Sequence, residues 1–111
     1  MAVNQHHPLD KFQQLRTEIA QARLRSVRSQ IALGLTFCSI AECQLATGHA
    51  EHLDQVLAKL QKLTTTVRRH LNEPGHIPPN EVEGVRSELA QLEFRVSALE
   101  ERTRRSRSPF K

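Results

Sequence analysis

The sequence predicts an all-α fold: an antiparallel three-helix bundle with coiled-coil-like packing and a long first helix. Three observations predict it. Val82, Val85, Leu89, Leu92, Val96, Leu99 and Thr103 recur at alternating gaps of three and four residues, the a/d spacing of a helix that must bury its seam against other helices. Two earlier stretches, 9–47 and 50–72, carry apolar residues at helical spacing and are divided by Gly48 and by a Pro/Gly-rich linker at 73–79. The chain has no Trp, no Tyr and four Phe. A core built from Leu, Val, Ile, Ala and those few rings suits helix contacts rather than an aromatic-walled ligand pocket.

The 111 residues leave room for one domain. Residues 1–8 lack periodicity and are expected to be unstructured. The first helix is expected from about 9 to 47, with Gly34 as its weak point at roughly 1 kcal/mol relative to Ala. Its pattern is two-sided. Leu24, Val27, Ile31, Leu35, Cys38, Ala41 and Leu45 line one face, while Leu33, Phe37 and Ile40 line another, extended by Phe12, Leu15 and Ile19. A helix apolar on two sides lies between neighbours. The small Gly34, Cys38 and Ala41 would let another backbone come close.

The second helix, 50–72, has the stripe Leu53, Val56, Leu57, Leu60, Leu63, Val67, Leu71. Its Thr64-Thr65-Thr66 run is β-branched and able to bond its own backbone, which can bend the helix, yet the stripe continues through it. The 73–79 linker contains three prolines and a glycine and admits no helix. Asn80 reads as the N-cap of the third helix, 80–104, with Glu83 completing a capping box. Residues 105–111 lack periodicity and read as a basic disordered tail.

At 1.5 Å per residue the first helix spans close to 60 Å and outreaches the other two. Phe12, Leu15 and Ile19 would then protrude, and exposed apolar clusters mark interfaces. This points to a homodimer or larger helical oligomer. The alternative is a break near Arg25–Ser29 that folds the first segment back as a fourth helix.

Charge is unevenly placed. Residues 1–101 net −1, whereas the last ten residues hold Arg102, Arg104, Arg105, Arg107 and Lys111 without an acid. Residues 1–32 net +3 and residues 80–101 net −4, so these segments should attract one another. The cationic end supports an alternative role as an accessory nucleic-acid binder, with non-specific affinity for phosphate backbones, and Ser106 and Ser108 lie where phosphorylation would cut that charge.

Residues 33–61 resemble a single tetratricopeptide unit. Phe37, Ile40 and Ala41 stand in its first helix, Gly48 at the turn, and Leu53, Leu57 and Leu60 in its second. Leu53 and Leu60 replace small alanines, Gln44 replaces an aromatic, and Thr65 stands where a closing proline belongs. The resemblance implies a helical hairpin and protein binding.

Candidate chemistry is sparse. His49 and His52 sit three apart beside Glu51 and Asp54, a spacing that places two metal ligands on one helix face but lacks a third and fourth. His70 and His76 have no partner in the pattern. Cys38 and Cys43 point about 140° apart on one helix and cannot bridge, which fits a reducing, cytoplasmic setting. The four glycines are isolated, so no phosphate loop is present, and no nucleophile stands beside a base and an orienting acid. The expectation is a non-catalytic, self-associating interaction or scaffold protein with no cofactor, no membrane span and no small-molecule substrate. Its surface is expected to comprise Phe12, Leu15 and Ile19 with whatever part of the Val82, Val85, Leu89, Leu92, Val96, Leu99 seam stays uncovered.

Overall fold

A computed structural model describes residues 8–49 and 51–107. Helix α1 (Pro8–Thr47), helix α2 (Leu53–Asn72), a 3₁₀ turn (Pro79–Glu81) and helix α3 (Val82–Arg107) follow in order. Helix α1 is unbroken, so the fold-back at Arg25–Ser29 does not occur. Pro8 opens it, where a missing N–H is no loss, and Asp10 sits in its first turn, against the positive end of the dipole.

Helix α1 ends in a Schellman motif. The His49 N–H donates to the Gln44 carbonyl at 2.9 Å and the Gly48 N–H to that of Leu45 at 3.4 Å, with Gly48 at φ +79°, a left-handed conformation that glycine adopts without a Cβ penalty. Helix α2 starts at Leu53, three residues later than expected, after a turn at Glu51–His52. It runs through the three threonines. Buried Thr64 donates to the Gln61 carbonyl at 3.0 Å, which satisfies its hydroxyl inside the helix.

The linker is a compact turn. The His76 N–H donates to the Glu73 carbonyl at 3.2 Å, with Pro74 second and Gly75, at φ +74°, third. That is the composition of a type II turn. Ile77, only 4% exposed, anchors the segment in the core. Asn80 lies within the 3₁₀ turn and Pro78 takes the cap position, so the expected capping box is replaced by a proline-opened turn. Helix α3 continues through Arg107, three residues past its expected end. Two arginines explain this: Arg104 and Arg105 both pair with Glu101, the latter at 3.4 Å, on the turn where cations oppose the dipole. Residues 1–7 and 108–111, which include Lys111, Ser108 and most of the expected tail, lie outside the described residues.

Helices α1 and α3 run parallel and α2 runs antiparallel to both. Arg28 meets Glu81 and Glu88 at 3.3 and 3.2 Å, and further along Arg95 meets Glu42 at 3.0 Å. Arg68 pairs with Glu93 and Gln61 with Glu100 across α2 and α3. The Arg28 pairs realise in cis the attraction between the basic first segment and the acidic third helix.

The core takes one seam from each helix: Leu24, Val27, Ile31, Cys38 and Ala41 from α1, Leu53, Leu57, Leu60, Val67 and Leu71 from α2, and Val85, Leu89, Leu92, Val96 and Leu99 from α3. Gly34, not Leu35, completes the α1 seam, and a Cβ there would lie 2.8 Å from a Leu92 methyl. The helices meet closely because that position has no side chain. The molecule measures 81 × 20 × 17 Å, a rod in which α1, about 60 Å long, outreaches the shorter helices.

Candidate interaction surface

The α3 seam faces inward. Val85, Leu89, Leu92, Val96 and Leu99 are buried, and Val82 alone of that set stays half-exposed. Their expected contribution to a docking surface is thereby corrected: α1 and α2 together cover the seam, because three apolar stripes of similar length close on one another. Phe12, Leu15 and Ile19 lie where the sequence placed them, on the protruding part of α1, with Phe12 61% exposed. The linker lines a shallow groove with Arg16, Thr17, Ala20 and Gln21.

The apolar surface does not stop at the overhang. Leu33 and Ile40 are 48% and 42% exposed on the same face. Between and beyond the large residues stand Ala22, Ser26, Ser29, Thr36, Cys43 and Thr47, all exposed. Together with Phe12, Leu15, Ile19, Leu33 and Ile40 they form one series from 12 to 47 with alternating gaps of three and four, a second a/d seam on the side of α1 away from the core. At the chain's 25% charged residues, nearly three of these eleven sites would be charged, and none is. The polar members carry little desolvation cost. Thr36 and Thr47 donate to the carbonyls of Ala32 and Cys43, four residues back, at 3.2 and 2.9 Å, so a covering helix need not satisfy those hydroxyls.

Charged residues flank this seam only in its first half, as Lys11, Arg16, Glu18, Arg23 and Arg25. At the opposite end of the molecule, Arg102, Arg104 and Arg105 are exposed. Two of those three share Glu101, which offsets the cationic patch expected there. Arg107 lies on the helix and Lys111 outside the described residues.

Among the described residues, His49 and His52 are not part of any group of three metal-ligating side chains. His49 Nδ1 lies 3.0 Å from the Thr47 hydroxyl on an exposed turn, and His52 precedes α2 without capping it. Instead His70, Glu73 and His76 hold ligand atoms within 4.8 Å of one another. The turn at Pro74–Gly75 folds His76 back over the last turn of α2, which is the signal that sequence reading overlooked. His76 Nδ1 lies 2.7 Å from Glu73 Oε1 and its Nε2 lies 3.0 Å from His70 Nδ1. With Nδ1–H donating to Glu73, Nε2 accepts from His70. The ring centroids lie 4.7 Å apart with planes 18° from parallel. With the His76 Nε2 lone pair engaged by His70 and its Nδ1 proton by Glu73, a cation held by all three groups would have to displace both protons. Partial burial, then Arg23 and His70, hold the His76 pKa below its ordinary value of 6.5 against the opposing pull of Glu73. The neutral ring is a latch between linker and helix.

Burial also pushes the Cys38 thiol up, which removes it as a nucleophile at neutral pH. Cys43 is exposed on the outer seam. Among the described residues no helix is long and apolar enough to cross a membrane. Comparison with protein-family profiles, curated proteins and solved structures finds no match to this chain.

Proposed function

We propose that this chain is a non-catalytic helical interaction or scaffold protein that self-associates through the outer face of α1. One observation carries this reading. A helix already packed on one side keeps a second seam, uncharged from residue 12 to residue 47, every member of which is exposed. Isolated exposed apolar residues need no explanation, but a contiguous stripe does. The tetratricopeptide-like hairpin, whose family binds proteins, points the same way. The free thiols Cys38 and Cys43 support a cytoplasmic setting.

Sedimentation equilibrium tests the reading. The unaltered chain at tens of micromolar, on the order of common weak-dimer affinities, is expected to weigh more than one copy. Phe12→Glu/Ile19→Glu is expected to give a monomer with unchanged helical circular dichroism. A strict monomer overturns the proposal, and so does loss of helicity in the variant, which would place those residues in the fold's own core.

A further inference from the structure

We infer that the occupant of the α1 outer face is the same face of a second copy, running antiparallel, with Ser26 and Ser29 at the two-fold axis. This rests on the self-association reading and adds to it a direction and a register. In the register that side-chain size selects, the two stripes overlap from residue 12 to residue 43, about 46 Å by about 10 Å. That buries on the order of 900 Å² in all, the size of a weak, exchanging interface.

Charge selects the direction. Four cations and one acid (Lys11, Arg16, Glu18, Arg23, Arg25) flank the first half of the seam, whereas Gln30, Ala32, Phe37, Ser39, Gln44 and Ala46 flank the second. A parallel pair would set Lys11 against Arg16 of the second copy, which repels, and Glu18 against its Arg23, which attracts. These two pairs offset, and the net charge of +3 on each half (four cations, one acid) is left to repel. An antiparallel pair lays each cationic half along an uncharged one.

Side-chain size selects the register. Centred between Ser26 and Ser29, an antiparallel pair sets Phe12 over Cys43, Leu15 over Ile40, Ile19 over Thr36 and Ala22 over Leu33, with serine over serine at the axis. Each layer but the two central serine ones then holds a large apolar side chain, and three of the four pairings set it against a smaller one. A parallel pair in register would stack threonine on threonine between leucine and isoleucine layers and would set three small layers, Ala22, Ser26 and Ser29, in succession, leaving gaps that cost stability. The antiparallel arrangement also seats each overhang beside the bundle of the other copy, where Phe12, Leu15 and Ile19 gain cover.

Cys43 makes the register measurable with a short bismaleimide, because Cys38 is fully buried. In the antiparallel register the two Cys43 residues lie about 46 Å apart along the axis. The unaltered chain should therefore not cross-link, Phe12→Cys should give a covalent dimer, and Phe12→Cys/Cys43→Ser should not. A second pair, Leu15→Cys/Ile40→Cys in a Cys43→Ser background, should cross-link as the double variant and as a mixture of the two single variants, but not as either single variant alone. A covalent dimer of the unaltered chain through Cys43 overturns the antiparallel register while leaving self-association standing. A monomer by sedimentation overturns both.

Discussion

The contact between Gly34 and Leu92 gives the sharpest test of the packing. A Cβ on residue 34 would lie 2.8 and 3.2 Å from the two Leu92 methyls and 3.2 Å from a Leu63 methyl. Leu63 is half-exposed and can yield, but Leu92 is 0% exposed and has nowhere to go. Overpacking of this kind costs about 1–3 kcal/mol, while replacing a mid-helix glycine by alanine returns about 1 kcal/mol. Gly34→Ala alone is therefore expected to destabilise by about 0–2 kcal/mol. Leu92→Ala alone leaves a cavity and costs about 2–5 kcal/mol. In that background the clashing methyls are gone, and Gly34→Ala should turn stabilising by about 1 kcal/mol. Urea unfolding of the four proteins at one fixed concentration, so that any association would affect all four alike, reads the coupling directly. If Gly34→Ala has the same effect in both backgrounds within about 0.5 kcal/mol, α1 and α3 do not meet at this point and the packing described here is wrong.

Two further outcomes follow. His76 is neutral in the fold and its pKa is lowered, so the unfolded chain takes up the proton first. Stability is therefore complete above the ordinary value of 6.5 and is lost as pH falls through the lowered value. Urea midpoints at pH 8 and pH 5 should show this loss, and His76→Gln should reduce it; an unchanged pH profile in that variant would remove the latch. Deleting residues 106–111, which spares buried Thr103, should lower any salt-sensitive affinity for duplex DNA and leave the sedimented mass unchanged; a fall in mass would move self-association to the tail.

Much of the fold was legible because helix periodicity is a local property. The α3 seam and the α2 stripe are stated residue by residue in the chain, and both ends of α1 are marked, by Pro8 and by Gly48. What escaped was non-local. The spacing of Val82 to Leu99 declares that a seam will be buried without saying whether the cover comes from the same chain. Gly34 reads as a defect in a single helix and becomes a contact point only once Leu92 lies against it. His70 and His76 are partners through a turn whose geometry depends on Gly75 adopting positive φ. The end of α3 escapes for the same reason: Arg104 and Arg105 read as tail charge along the sequence and become partners for Glu101, one turn back, only once the helix has formed.

The two seams of α1 explain why one became core and the other stayed outside. The inner seam offers Leu24, Val27 and Ile31 followed by Gly34, Cys38 and Ala41, so bulky residues interlock at one end and backbones approach at the other. The outer seam spreads five large residues over 36 positions and fills the rest with Ala, Ser, Thr and Cys. Burial returns about 25 cal/mol per Å² of apolar surface, so the inner seam wins the competition for α2 and α3. The outer seam is then too apolar for a face selected only for solvation and too polar to serve as a permanent core. Non-obligate interfaces have that intermediate character, being scarcely more apolar than ordinary protein surface. A pair formed on this face should accordingly exchange freely, with each copy fully folded when apart, because the core that holds the three helices together uses none of the residues that would hold the two copies.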